Sequence, residues 1–453
     1  LARERLQDCP EDMASARGRY DDAKAELGLA DYADLLEFWL ARLEEGAPRP
    51  WRHVLVDEVQ DLSPLQWALV RALLPLDGQG FFGIGDPDQA VYAFRGAQPE
   101  LLAVLRSIWP ELQLCRLEQS YRSVPDVLAA ANAILEHKGE CGPLRAARQG
   151  PGLLRLFSAP GDKAEARWIA ERVRALLGSG SHSLSDRERG VDAGHLQNAC
   201  SPGDIAILVR MKALIPVYKN ALEQFHIQCA VPEEEAFWHE PRVALLLAGA
   251  ERFLGLGEAR APQEEEPQGF EPPPDIWPHG PAAVAAALEG QAPFDPLFRT
   301  SPALAALEKL WLSTRDWKEL FTQLHFMQDV EQVRERAEQV RILTLHAAKG
   351  LEFKAVFLPA LEQGILPFAY GDTEGEAPDP EAEAAEAEEL RLFYVGVSRA
   401  GEALFVSHAA QRRLYGRNVR LAPSPFLDAI RQYCKSSTLV ARSRATGQQL
   451  PLL

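Results

Sequence analysis

Two carboxylates side by side at the end of a short apolar run, Asp57-Glu58 after Val54-Leu-Val56, are the first residues whose type and spacing could do chemistry. Adjacent acids at a strand end suit a Mg²⁺ bound partly through water at Asp57, with Glu58 placed to polarise an attacking water. A second apolar run, Gly80 to Gly85, leads into Gly85-Asp-Pro-Asp-Gln-Ala-Val-Tyr-Ala-Phe-Arg-Gly-Ala97, where Gln89 precedes Tyr92, Phe94 and Arg95. Aromatic rings interleaved with a guanidinium offer π-faces to unpaired bases and a charge to their backbone. As plain structure, the acids would be a polar strand end opening a helix, and the aromatics a turn packed in a core. That second reading leaves Gln89 and Arg95 in one turn unexplained.

These residues need elements to hold them. Leu35, Leu36, Trp39, Leu40 and Leu43 recur on one face of a helix that Pro48 and Pro50 stop. Trp51 to Asp57 then reads as a buried strand, Leu65 to Leu74 as a helix, and Gly80 to Gly85 as the next strand. Strand, helix, strand with acids at the carboxyl ends is the pattern of a parallel α/β sheet, which binds ligands at those ends. The pattern returns with strands at Leu153 to Phe157, Asp204 to Val209, Arg341 to Leu345 and Ala355 to Pro359, and helices such as Ala164 to Leu177. Ala/Leu-rich helical sequence around a Pro/Glu-rich stretch interrupts it between about Pro241 and Glu335. No internal repeat has a fixed period.

A chain of 453 residues can bury sizeable cores without disulfide or metal staples. Its formal net charge of −17 argues against a broadly basic, nucleic-acid-coating surface, so any such contact is local. Part of the charge lies in Glu264 to Glu266 and in Asp372 to Glu389, which holds nine acids and no base; both read as solvated loops. Six scattered cysteines with no CxxC pair point to reduced thiols. With no apolar stretch of membrane-spanning length and no signal peptide, a cytoplasmic location is expected.

Taken in order, DEVQD (Asp57 to Asp61), GDPDQAVYAFRGA, LEQSYRS (Leu117 to Ser123), TLHAAKGLEF (Thr344 to Phe353) and ELRLFYVGVSRA (Glu389 to Ala400) resemble the UvrD/Rep helicases of superfamily 1. The resemblance covers nearly the whole chain, from Asp31 to about Gly416. It implies an α/β chain of two RecA-like parallel-sheet domains, the first incomplete, with a helical subdomain inserted in the second. The bounds would be 1–115 for the first, 116–241 and 336–430 for the second, 242–335 for the insert and 431–453 for a flexible tail. It implies ATP and Mg²⁺ as cofactors, 3′-to-5′ movement on single-stranded DNA toward duplex junctions, and a role in repair or recombination. Asp57 would hold Mg²⁺, Glu58 would be the water-activating base, and Gln89 would sense the γ-phosphate. Arg122 and Arg399 would meet that phosphate as fixed positive charges. Tyr121 would stack on adenine and Glu352 would lie near the ribose. Tyr92, Phe94 and Arg95 would stack bases, Arg210 would contact the DNA backbone, and His346 and Lys349 would join the same track.

The sequence also departs from this family. GxxxxGK[ST], the loop whose backbone N–H groups cradle the β-phosphate, does not occur, and Lys349-Gly350 lacks its glycine spacing. Only 56 residues precede Asp57, where relatives carry a longer leader. A sheet lacking its central strand would expose apolar surface and open edges, so a fragment of a longer helicase is expected, itself inactive. The alternative is an ATP-inactive DNA-binding or scaffold module of the same fold. Val59 stands where relatives have an aromatic, Lys212 replaces an Asn, and the insert is short. Gln449-Leu-Pro-Leu-Leu453 is similar to the terminal peptide by which bacterial repair proteins dock on the sliding clamp; as plain sequence it is an unstructured tail end.

Overall fold

The computed structural model describes residues 11–91, 101–135, 142–178, 200–231, 237–255, 274–291, 293–336, 338–368 and 380–438. The chain forms two units, Leu1–Val231 with Gln339–Leu453, and Pro232–Glu338.

The first unit opens with helices α1 (Glu11–Leu27) and α2 (Tyr32–Glu44). Asp31 starts α2 with a reciprocal capping box, its carboxylate accepting from Asp34 N–H while Asp34 accepts from the Asp31 N–H. Strand β1 (Val54–Val56), helix α3 (Pro64–Leu73), strand β2 (Phe81–Gly83) and helix α4 (Leu101–Ile108) follow. Ser63 and Gln66 cap α3 in the same way, and Pro64 at its first turn loses no hydrogen bond. β1 and β2 pair in parallel, Leu55 opposite Phe82. One face of this pair packs Val54, Val56 and Phe81 against Trp67, Trp109 and Leu105. On the other, Leu55 is 73% exposed and Phe82 57% exposed.

The remainder of the unit is larger. In chain order come β3 (Gln119–Ser120), α5 (Pro125–Leu135), β4 (Arg145–Ala146), β5 (Leu153–Ala159), α6 (Asp162–Leu176), β6 (Ile205–Val209), α7 (Ile215–Gln224) and β7 (Cys229–Ala230). The second unit contributes α8 (Pro241–Leu254), α9 (Pro281–Ala287), α10 (Pro302–Thr314) and α11 (Trp317–Arg336). The first unit then resumes with β8 (Val340–Thr344), β9 (Phe353–Leu358), α12 (Pro380–Ser398), β10 (Ala400–Ala409), β11 (Gln411–Leu414), β12 (Arg417–Arg420), α13 (Leu427–Ile430) and β13 (Lys435–Thr438). Seven strands form one sheet in the order β13-β5-β10-β9-β6-β8-β7, every pair parallel.

A parallel sheet is buried on both faces, so its strands must be apolar throughout. In β6, Ala206 and Leu208 enter the core under α5 and α12, while Ile205, Ile207 and Val209 enter the one under α6 and α7. α12 lies tight on the sheet because residue 396 is glycine: a Cβ there would stand 2.6 Å from Leu345 Cδ2. The second unit has its own core of Trp238, Trp277, Trp311 and Trp317, pinned by Trp317 Nε1–H donating to the Trp277 carbonyl at 2.8 Å.

The expected strands and helices are present, with boundaries moved by a few residues. The helical unit starts before the anticipated 242, because Phe237 and Trp238 belong to its core. The flexible tail expected at 431–453 does not hold up to Thr438, since Lys435–Thr438 pairs with β5 at the edge of the sheet; 439–453 lie outside the described residues. The acidic run to Glu389 is not loop throughout. From Pro380 it is helical, and Glu389 is buried; Ala and Glu are strong helix formers, and helical spacing turns residue 389 inward.

The large sheet also encloses a charged knot. Arg412 on β11, 2% exposed, donates to Glu362 Oε2 at 2.8 Å and Oε1 at 2.7 Å, to Glu165 on α6, and to the Tyr218 hydroxyl at 3.1 Å. Ser407 Oγ–H and the Ala360 N–H donate to Glu165, and the Ala409 N–H donates to Glu362. Burial pushes the Glu362 carboxyl above its ordinary range, an effect Arg412 opposes. Removing one partner leaves unpaired buried charge, which typically destabilises by about 3–5 kcal/mol. Arg412→Met is expected to lower stability by about that amount in urea unfolding; a change within the ~0.5 kcal/mol usual for surface substitutions would refute the assignment.

Candidate active site

At the end of β1 the chain turns at once. Glu58 adopts φ 52°, ψ 46°, left-handed backbone that costs a non-glycine residue roughly 1–3 kcal/mol. Two hydrogen bonds hold the turn: Glu58 N–H to Asp57 Oδ1 at 2.9 Å, and Val59 N–H to the Ile84 carbonyl at 3.0 Å. The second ties the end of β1 to the end of β2. Gln60, buried, completes the tie. Its Nε2–H donates to Glu58 Oε2, and its Oε1 accepts the Asp86 N–H at 3.0 Å. Position 85 must be glycine for this approach, because a Cβ would meet Gln60 Oε1 at 2.3 Å.

Gln89 sits in a tight turn, Pro87–Gln89, after β2. Its Nε2–H donates to Asp86 Oδ2 at 2.6 Å, and its Oε1 accepts from Arg399 Nη2 at 2.9 Å. Burial raises the Asp86 carboxyl above its ordinary value, partly offset by this hydrogen bond. Arg399, 1% exposed, also donates to the carbonyls of Val395 and Leu351, at 3.1 Å each, and to Ser398 Oγ at 3.1 Å. Burial, aided by the nearby charge of Arg122, brings its guanidinium down to about 10, still cationic at neutral pH. Arg122 pairs with Glu352 at 3.0 Å and donates to the Ser398 carbonyl at 3.3 Å. Tyr121 is exposed, its hydroxyl 3.3 Å from Gln119 Oε1.

Lys349 stands on the same side. It is 2.5 Å from Asp61 Oδ2 and 3.5 Å from Glu58 Oε2, and donates to the Gln89 carbonyl at 2.8 Å. Burial raises the Asp61 carboxyl despite that ammonium, and Asp61 Oδ1 has no hydrogen-bond partner among the described residues. Arg391 on α12 donates to the Ala90 carbonyl at 3.1 Å. The structure thus joins Glu58, Gln89 and Arg399 through direct hydrogen bonds and Gln60, with Asp57, Arg122, Glu352 and Lys349 bonded beside them. Sequence reasoning does not single out Gln60 and Asp61, although they lie inside the first motif, and it reads Asp86 only as an acid at a strand end; motif spacing names the groups that face a ligand, not those that brace them.

Arg210 lies elsewhere, at the carboxyl end of β6. Its guanidinium grips Glu389 with both Nε and Nη2, at 2.7–3.1 Å, and stacks 5.3 Å over the Phe368 ring. His346 is near enough to feel it: burial, then the Arg210 charge, lowers its imidazole to about 4. Tyr92, Phe94, Arg95 and Gln449 to Leu453 lie outside the described residues.

No group of three or more His, Cys, Asp or Glu among the described residues could cage a metal. Asp57 is exposed and follows the strand directly, an arrangement that fits a Mg²⁺ held mostly by water and phosphate oxygens.

The chain matches two family models. One, described as the UvrD-like helicase C-terminal domain, matches residues 115–251 and 300–411; the other, the UvrD/REP helicase N-terminal domain, matches residues 3–107. It is 30% identical to ATP-dependent DNA helicase UvrD2 of Mycobacterium tuberculosis over 95% of this chain and 59% of that protein. It is 27% identical to DNA helicase II of Escherichia coli over 94% of this chain and 66% of that protein. With ATP-dependent DNA helicase Rep of E. coli it shares 28% identity over 92% of this chain and 69% of that protein. The chain therefore spans about 59% to 69% of the length of these relatives. No helix among the described residues is long and apolar enough to cross a membrane.

The lowered His346 has a consequence for stability. Between pH 6.5 and about 4 the unfolded chain binds a proton that the folded chain refuses, so this group's contribution is full above 6.5 and lost as pH falls toward 4. His346→Asn should flatten the fall in unfolding free energy across that window by up to roughly 1.4 kcal/mol per pH unit. Identical slopes for the two proteins in urea titrations at several pH values would contradict the assignment.

Proposed function

Since the chain belongs to the UvrD-like helicase family, we propose that it forms the greater part of an ATP-driven DNA helicase. It would act 3′ to 5′ on single-stranded DNA and at duplex junctions, in repair or recombination and in the cytoplasm. The observation that carries this reading is the Arg399–Gln89 hydrogen bond, backed by the Gln89–Asp86–Gln60–Glu58 connection. It puts a buried guanidinium, a neutral amide and a carboxylate base in one connected group.

The roles follow from what each side chain can do. Asp57 would hold Mg²⁺ through water, and Glu58 would accept a proton from the attacking water. Arg122 and Arg399 would oppose negative charge on the γ-phosphate, where fixed cations in dry surroundings act most strongly. Gln89 would report the occupancy of that position to the second strand end. ATP supplies the phosphoryl group whose transfer drives movement. Tyr121 would face adenine and Glu352 the ribose; Lys349, expected on the DNA track, would instead brace Asp61 and Glu58, with which it pairs. Single strands would run past Arg210 and His346, with Tyr92, Phe94 and Arg95 stacking bases and Gln449 to Leu453 meeting a sliding clamp.

A second reading is an ATP-inactive DNA-binding or scaffold module. It would need no GxxxxGK[ST] loop for the β-phosphate, and these 453 residues hold none. The exposed pair Leu55 and Phe82 argues the other way, because a further layer on that face would remove it from water.

DNA-stimulated ATP hydrolysis separates the two. The chain alone is expected to show none, and joining it to a P-loop-bearing segment of this family should bring hydrolysis that Glu58→Gln reduces at least 100-fold, on the order of one general base. Turnover by the chain alone, or turnover in the joined protein indifferent to Glu58→Gln, would remove the catalytic roles of these side chains.

A further inference from the structure

At the end of β6 one arginine is set among a carboxylate, an aromatic ring and an imidazole. Arg210 is held by Glu389 on both Nε and Nη2. Glu389 Oε2 also accepts the Phe368 N–H at 3.0 Å, so the carboxylate is anchored to the backbone as well as to the guanidinium. The Phe368 ring lies against the guanidinium face. Three constraints thus fix the plane of one side chain, and its Nη1 group carries no hydrogen bond among the described residues. His346, lowered to about 4, is neutral at physiological pH and adds no charge.

We infer that Glu389 is a positioning residue for nucleic-acid binding: it holds Arg210 so that Nη1 meets a backbone phosphate of single-stranded DNA. This rests on the reading that Arg210 contacts that backbone. The competing idea, that Glu389 merely masks Arg210, makes the opposite forecast. By charge alone, deleting a carboxylate beside a phosphate contact tightens binding. By positioning, deletion weakens binding, because a freed guanidinium must be ordered again each time it binds.

The test is fluorescence anisotropy with a labelled oligothymidylate and the 453-residue chain, over a series of salt concentrations. Arg210→Ala should weaken binding about tenfold and flatten the slope of log K against log salt by about 0.7, the loss of one phosphate contact on a single strand. Glu389→Ala should weaken it about three- to tenfold with the slope little changed, because Arg210 still reaches the phosphate at an added ordering cost, although negative charge has been removed. Glu389→Asp keeps the charge but withdraws the carboxylate by one methylene, and should weaken binding about threefold. In the Arg210→Ala background, Glu389→Ala should add nothing, since the two act as one unit.

Thermal melts of each variant check folding; if Glu389→Ala does not fold, Glu389→Asp decides, and binding equal to the unaltered chain overturns the inference. Glu389→Ala binding as tightly as the unaltered chain, or more tightly, while Arg210→Ala is weak, also overturns it and leaves the DNA reading intact. No binding by the unaltered chain, or no effect of Arg210→Ala, removes the DNA reading and the inference with it.

Discussion

A guanidinium taken out of water stays charged only where acceptors replace its hydration, and Arg399 is the side chain around which the candidate site is arranged. Two backbone carbonyls, a serine hydroxyl and the Gln89 amide oxygen surround it. Each acceptor exists because of a feature elsewhere. The Val395 carbonyl points the right way because α12 continues to Ser398, and the helix reaches the sheet because Gly396 lets it lie against Leu345 and Leu358. Gln89 arrives because β2 ends in a turn whose aspartate and amide bond each other. An unpaired charge at this depth would be heavily penalised, so the position of every one of these groups constrains the rest.

The parallel sheet supplies the second constraint. In parallel strands all carboxyl ends face one way, and side chains that follow them collect along one edge. Asp57 and Asp86 follow β1 and β2 of the two-stranded sheet, and Arg210 and His346 follow β6 and β8 of the seven-stranded one. Strands this apolar could be read from sequence because burial on both faces leaves no polar alternation to mislead. The acids could be read because they interrupt such runs abruptly.

What the sequence concealed was of a different kind. β10, the longest strand in the sheet, is not among the strands read from the sequence, because it starts two residues after α12 ends, inside the stretch where the motif runs from helix to strand without a linker. The Glu165–Arg412–Glu362 knot was equally hidden: its members stand well apart in the chain, and each alone looks like a surface charge. Only the fold makes them neighbours. Gln60 and Asp61 lay in plain view within a recognised motif, yet their tasks are to hold Glu58, Asp86 and Lys349 in place. Spacing along a chain reports which residues converge; it does not report which one braces which. The acidic run ending at Glu389 shows the same limit, since charge density described its solvent face and missed a carboxylate that turns inward.

That carboxylate belongs to the same helix as the buried guanidinium. α12 carries Glu389, bonded to Arg210; Arg391, bonded to the Ala90 carbonyl; and at its end it delivers Arg399 to Gln89. Glu389 and Ser398 are nine residues apart, roughly 14 Å of α-helix, and a helix packed on a sheet through a glycine contact does not stretch. The groups proposed for nucleotide and for nucleic acid are therefore fixed to one stiff element. A rearrangement that displaces Arg399 together with its helix must either break that helix, whose hydrogen bonds resist it, or carry Glu389 with it. In this architecture the two halves of the proposed activity share a mechanical part before any ligand is considered.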